Sequence, residues 1–330
     1  MNAVCTLHVL VAAAVPVPVA LTHWSFMGIN VTFQDHVNST TVATVIREID
    51  GDDFPTRTYG NPLAVMVDRL RKRNRESGTN SADPSKSRAI LDVGAHVGVV
   101  SIALALAVPS AVVLAVEANR ASFEHLRWNI QRNNATNVVP LHAALVAPEH
   151  SGQRRVLVVA PNGRNTGGAT LHVRSLREAE AEAEAEATPP TEDRAQLHGQ
   201  NAEAVASVLG TWATMPVRTV SLDDAIFTAL SLAASTGAGT GTRWVESNDE
   251  TSCANHELAL LKIDCEGCEH HVLAPGRCAA LEQGRIANVI GELHLNSLLR
   301  QSGADPDAVE LHLRRKVRGV VALARCHMAE

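Results

Sequence analysis

The side chains able to do chemistry gather in three short stretches of the 330-residue chain. The first is LDVGAHVG at Leu91–Gly98, set between one apolar run of strand length and another of helix length. Gly94 permits a turn that a Cβ would obstruct, and Gly98 lets the following helix approach the strand closely. Nineteen residues past Gly98, the run AVVLAV ends in Glu117. A carboxylate at the tip of a second strand is where a ribose diol can give both hydroxyl protons to one acceptor. The second stretch, KIDCEGCE at Lys262–Glu269, puts Asp264 where a buried strand exits and Glu266 before the flexible Gly267. The third, GELH, ends in His294, with Glu292 two residues earlier on the same strand face. An imidazole with an ordinary pKa of about 6.5 can take a proton from an alcohol.

The turn at Leu91–Gly98 departs from the dinucleotide fingerprint G-x-G-x-x-G, which leaves a helix N-terminus open for a pyrophosphate. Here the pattern is D-x-G-x-H-x-G, with Asp92 ahead of the glycines. An acid disfavours a diphosphate and favours a cofactor with a cationic part, a demand met by the sulfonium and α-amine of S-adenosylmethionine. His96 reads as a wall of the cofactor site rather than a base. Asp264 and Glu266 have an alternative role as caps of the helix that follows, and Glu269 reads as a helix-face residue. Cys265 and Cys268 form C-x-x-C beside His270 and His271, a zinc or redox pattern. The spacing spans a strand exit rather than a free knuckle, and no second pair has zinc-ribbon spacing. No metal site is expected, and the cysteines read as small buried residues.

Composition narrows the partners. Lys and Arg number 29 against 35 Asp and Glu, a formal charge of −6, which excludes a globally basic nucleic-acid binder. Aromatics make up 3% of the chain, so a base-stacking platform is not expected and the core must be aliphatic. Six cysteines are too few for a disulfide scaffold. The apolar stretch Val9–Ala20 is broken by Pro16 and Pro18 and preceded by no basic residue. It reads as buried strands rather than a signal peptide or membrane anchor, so membrane association is not the preferred reading and the cytoplasm is the preferred compartment. Sequons at Asn30, Asn38 and Asn134 would matter only on the secretory route.

The elements that must position these residues alternate. Strands are expected at Ile29–Phe33, Arg88–Val93, Ala111–Val116, Val138–Val146, Val217–Val220, Leu258–Ile263 and Ile286–Leu293. Helices are expected at Thr41–Ile49, Pro62–Arg73, Val99–Val108, Ser122–Asn133, Ser221–Leu232 and His270–Leu281, the last interrupted near Pro275–Gly276. Strand and helix in turn predict an α/β fold with a doubly wound, mostly parallel sheet. Arg155–Ala160 and Thr170–Val173 read as a hairpin, and the tail from Asp307 as mostly helical with no final β-hairpin. The basic run at Arg69–Arg75 reads as a solvated helix end, and Glu76–Ser87 as an exposed linker. The Ala-Glu alternation at Glu178–Ala187 and the Gly/Ser/Thr-rich Ala233–His256 read as solvated inserts.

Taken together, the motifs resemble the FkbM-type family of S-adenosylmethionine-dependent methyltransferases. The matching pieces run in family order: ILDVGAHVG at Ile90–Gly98, VEAN at Val116–Asn119, HAALVAPEHSG at His142–Gly152, NTGGATL at Asn165–Leu171, VRTVSLDD at Val217–Asp224, LLKIDCEGCE at Leu260–Glu269 and IGELH at Ile290–His294. The resemblance implies a class I, Rossmann-like methyltransferase domain over residues 54–330, with an N-terminal extension at 1–53 and inserts near 175–215 and 233–256. It implies transfer of a methyl group from S-adenosylmethionine to a hydroxyl of a sugar, lipid or small-molecule acceptor. Asp92, Gly94 and Gly98 would form the methionine-side wall, Glu117 would hold the ribose, His142 and Ala143 would sit near the adenine, and His96 and Asn119 would also line the cofactor site. His294 is the preferred base, with Glu266 and Asp264 as substitutes. The rival readings are a catalytically silent relative that binds or scaffolds, and an NAD-type oxidoreductase. Oligomeric state is left open.

Overall fold

The computed structural model describes residues 19–36, 39–50, 60–76, 89–159, 174–175, 213–236, 256–295 and 305–327. In chain order the elements begin with strands β1 (Val19–Phe26) and β2 (Ile29–His36) and helices α1 (Thr41–Asp50) and α2 (Gly60–Glu76). Next come β3 (Ala89–Val93), α3 (Val99–Ala107), β4 (Val112–Glu117), α4 (Arg120–Arg132), β5 (Val138–His142) and β6 (Ala144–Leu145). They are followed by β7 (Arg154–Val159), β8 (Arg174–Ser175), β9 (Ala213–Val220), α5 (Leu222–Thr236) and β10 (Leu260–Ile263). The last are α6 (Glu269–Val272), α7 (Ala279–Glu282), β11 (Val289–Leu295), α8 (Pro306–Lys316) and β12 (Val321–His327).

Strands β3 and β4 are buried at every position, as expected of strands covered on both faces. They lie in a six-stranded sheet of order β12-β11-β10-β3-β4-β5, with every neighbouring pair parallel. The period of two divides the core. Ile90, Val113, Ala115 and Leu260 face a cluster with α3, whereas Leu91, Val93, Leu114, Val116 and Leu261 face a cluster with α5 and α8. From β3 the sheet grows outward through β4 and β5, and from β10 it grows the other way through β11 and β12. The crevice outside the carboxyl ends of β3 and β10 is therefore the topological switch point, where open α/β sheets bind ligands.

Several expectations are revised. Val138–Val146 is two strands: β5 ends the main sheet, and after a break at Ala143 the short β6 pairs with β9 in a second sheet of order β6-β9-β7-β8. Pro140 lacks an N–H and suits an edge strand, so β5 offers little for a further strand to join. His270–Leu281 is two short turns, α6 and α7, flanking Pro275–Gly276. The tail is not only helical, because β12 follows α8 and runs parallel to β11. Residues 1–18, the hairpin loop with its expected second strand Thr170–Val173, and most of the linker and of the two inserts lie outside the described residues; β8, just past that strand, pairs antiparallel with β7.

Strands β1 and β2 and helix α1 share the main core. Trp24, Phe26, Phe33, Val42 and Ile49 are buried in the same cluster as Ile90 and Ile102. Strand β1 pairs with one edge of β2, and the other edge of β2 is fastened by side chains of α4. Asn129 Oδ1 accepts from Gln34 N at 2.7 Å while its Nδ2 donates to Gln34 O at 3.0 Å. Asn133 repeats the pair on Thr32, at 2.8 Å in both directions. Four helical residues rise about 6.0 Å and two strand residues about 6.7 Å, so amides at i and i+4 match strand groups at i and i+2.

Candidate active site at the sheet switch point

The glycine turn is held by backbone first. Gly94 N and Ala95 N both donate to Val116 O at 3.0 Å, drawing the turn over the end of β4. Gly94 has φ +70, and a Cβ there would lie 1.7 Å from Asp264 O, so the turn and the exit of β10 touch where only glycine fits. Gly98 has φ +93, and a Cβ there would lie 2.5 Å from Leu126 Cδ1. Glu117 then closes the turn: Oε2 accepts from His96 N and Oε1 from Asn119 N, both at 2.7 Å. Burial pushes the Glu117 carboxyl up to about 7, against the lowering effect of those two N–H groups.

These groups line a cavity of about 220 Å³. Its walls include Gly94, His96, Glu117, Asn119 and Ala143 on the β3–β5 side, and Asp264, Glu266 and Glu292 on the β10–β11 side. A third wall comes from Thr41, Thr44, Val45 and Glu48 of α1.

Beneath the cavity, Asp92 and Lys262 are cross-strand neighbours in β3 and β10. Lys262 Nζ lies 3.2 Å from Asp92 Oδ1 and 3.7 Å from Asp264 Oδ2, and donates to Gly94 O at 2.9 Å. Burial opposes the ammonium, but Asp92 and Asp264 outweigh it and hold Lys262 above its ordinary value. Ser101 Oγ donates to the other Asp92 oxygen at 2.5 Å. This ion pair clamps the turn to β10, and removing either partner would strand a charge in the core.

His294 is buried within a ring of acids. Its Nδ1 is 3.0 Å from Glu269 Oε1. Its Nε2 is 3.3 Å from Glu292, 3.6 Å from Glu266 and 3.7 Å from Asp264. Burial lowers the imidazole's proton affinity, but the hydrogen bonds to Glu269 and Glu292 and the surrounding charge overcome this and hold it up to about 12. His294 is thus an imidazolium at neutral pH. Glu266 is pushed up to about 7, chiefly by burial and partly by Asp264, Glu269 and Glu292, while His294 pulls the other way. Its backbone is left-handed, with φ 56. Glu269 holds that turn, its oxygens accepting from Cys265 N and Gly267 N at 2.8 Å each.

Among the residues read from sequence, Gly94, His96, Glu117, Asn119, Ala143, Asp264 and Glu266 come together at the cavity. Asp92 sits behind the wall, Gly98 packs on α4, and His294 stands behind the acids. His142 is not among the cavity-lining residues, and its Nε2 donates to Ala118 O at 3.0 Å. Glu269 is not a helix-face residue but fully buried. Lys262, the α1 wall and the role of Glu269 were missed; one lysine inside LALLKI was the only sequence signal for any of them.

Cys265 and Cys268 are joined as a disulfide with Cα atoms 5.4 Å apart, correcting the reading of both as small buried residues. Among the described residues, two groups have spacing that could hold a metal ion, Asp264 with Glu269 and His294, and Asp35 with His36 and His125. Among the described residues no helix is long and apolar enough to cross a membrane.

No curated protein matches the chain. Among solved structures, a precorrin-6y C5,15-methyltransferase from Geobacter metallireducens GS-15 shares 25% identity over 24% of this chain and 36% of its own length, with a TM-score of 0.18. That overlap is too small to carry an argument about the fold, which rests on the sheet order. The model of the methyltransferase FkbM domain matches residues 92–317, from the glycine turn through α8. The chain belongs to the FkbM methyltransferase domain family.

Proposed function

We propose that the protein is an S-adenosylmethionine-dependent O-methyltransferase acting on a hydroxyl of a sugar, lipid or small-molecule acceptor. The observation that carries the reading is Glu117, a buried carboxylate at the tip of β4 facing the switch-point cavity. Each of its oxygens accepts one backbone N–H and keeps a further lone pair for a ribose hydroxyl. The chain fits such a cofactor. Gly94 lets the turn pack directly on the exit of β10 beside the cavity, Asn119 lies beside Glu117, and Asp264 after β10 with Glu292 on β11 suits a cationic methionine portion. When bound, S-adenosylmethionine supplies an activated methyl electrophile.

The protein's own residues then bind, orient and take a proton. Glu266 lies on the cavity wall with a carboxyl near neutrality, the range suited to accepting the acceptor hydroxyl's proton as its oxygen attacks. The base assignment therefore moves from His294 to Glu266. His294 already carries its proton and acts as a positioning cation that keeps Glu266, Asp264 and Glu292 close together. Much of the acceleration would come from holding the two reactants in line.

One observation favours a second reading. The order β5-β4-β3-β10-β11-β12 is also that of dinucleotide-binding sheets. Calorimetry with S-adenosylmethionine, S-adenosylhomocysteine and NAD separates the two. The proposal requires binding of the first two, and selective NAD binding would overturn it. Transfer of labelled methyl into a panel of hydroxyl acceptors then tests turnover, and binding without transfer to any of them would favour the silent relative.

A further inference from the structure

We propose a second site that binds a divalent transition-metal ion, built by Asp35 and His36 at the end of β2 and His125 on α4. One ligand atom from each of the three lies within 4.8 Å of the others. An ion at about 2.0–2.2 Å from each would ask for separations of about 3.3 Å, so small side-chain rotations would close the set. Two imidazoles and one carboxylate are the donors that first-row transition ions prefer, and such a triad leaves positions open for water.

An independent observation points to a missing partner. Asp35 is 4% exposed, and while Oδ1 accepts from His36 N at 2.7 Å, its Oδ2 is buried with no hydrogen-bond partner. A buried carboxylate oxygen is costly to leave bare, and a cation is a direct way to satisfy it. The His36 and His125 rings meet edge to face with centroids 4.7 Å apart. The Gln34 side-chain amide lies 3.1 Å from His125 Nδ1. Turned to present its oxygen, that amide would accept Nδ1–H and leave Nε2 bare for an ion, the arrangement that orients metal-bound histidines.

The position gives the ion a task. The Asn129 and Asn133 contacts fasten β2 to α4 at Gln34 and Thr32, and the triad continues the same seam at the end of β2. Five residues beyond His36 begins α1, which forms one wall of the cofactor cavity. A bound ion would fix the end of β2 to α4, five residues ahead of that wall. The triad borders the cavity through His96, whose imidazole feels Asp35, His36 and His125, but it shares no residue with the acids around His294, and ion binding there can be read without any methyl transfer.

The test uses the full chain, stripped with chelator and titrated with Co²⁺ and Zn²⁺. Wild-type protein should retain one equivalent of ion after gel filtration, with the visible absorption of Co²⁺ bound to nitrogen and oxygen. His125→Ala and Asp35→Asn should each weaken binding at least tenfold, while a Cys265→Ser/Cys268→Ser variant should not. Circular dichroism accompanies each variant, and His36→Gln carries the test if His125→Ala fails to fold. Absence of stoichiometric ion in the wild type would overturn the proposal. So would unchanged binding in the triad variants, or loss that follows Asp264→Asn instead.

Discussion

His294 and Glu269 meet at 3.0 Å in the interior, the imidazole Nδ1 against a carboxylate oxygen that also accepts the backbone N–H of Cys265. The pair joins the end of β11 to the turn after β10, so the acids on that turn are placed by a bond behind the cavity wall. Glu269→Gln should destabilise the fold by about 3–5 kcal/mol, the cost of breaking a buried pair, read by urea denaturation. The sign of the pH effect follows from a folded-state value raised from 6.5 to about 12. The stabilisation from His294 is whole below about 6.5 and is lost as pH climbs towards 12. The wild type should therefore weaken steadily on that climb, and the variant less steeply.

Glu266 should set the acid limb of the rate. Its carboxyl is pushed up to about 7, and only the ionised form accepts a proton, so turnover should rise as pH passes through about 7. Glu266→Gln should lower kcat by about 10²- to 10⁴-fold and remove that limb. Affinity for S-adenosylhomocysteine, measured by calorimetry, should change little.

Cofactor affinity should carry its own pH dependence through Glu117. The group is raised to about 7, so acidification below that point fills the carboxylate with a proton and removes acceptor capacity. Binding of S-adenosylhomocysteine should weaken from pH 8 to pH 6 in the wild type and stay level in Glu117→Gln. Glu117→Ala should cost about 1–3 kcal/mol of binding, and an unchanged affinity would remove the ribose role.

Gly94→Ala tests the contact between the turn and β10. The new methyl would meet Asp264 O at 1.7 Å from a backbone at φ +70. Forced separation and left-handed strain together should cost about 3 kcal/mol or more. Chemical denaturation measures it, and a variant as stable as the wild type would show that the turn can relax away.

Asn129→Ala tests the seam between β2 and α4. It leaves part-buried Gln34 N and O and the buried Val97 O without their partners, at up to about 1–3 kcal/mol for each group left unsatisfied. Hydrogen exchange should quicken at the amides of Thr32 and Gln34 while the sheet amides at β3 and β4 stay protected.

How far the sequence reading reached depended on the range of the interactions involved. Strands β3 and β4, helix α3 and the turn between them were legible because their signals are local: continuous apolar runs, two glycines and a carboxylate at a strand tip. The end of β5 was not. Val138–Val146 is apolar enough to be one strand, and only the pairing of Ala144 and Leu145 with Thr219 and Val220 divides it. Strand β12 was missed for the same reason, since its partner β11 lies some thirty residues earlier in the chain.

By itself, the sequence determined the alternating fold, the family resemblance and the position of Glu117, because period, turn chemistry and motif order are written in neighbouring residues. The tertiary structure alone decided the protonation of His294, the burial of Glu269, the wall supplied by α1 and the gathering of Asp35, His36 and His125. Each of these depends on which distant charges and surfaces end up within a few ångströms, and on how much water is excluded between them.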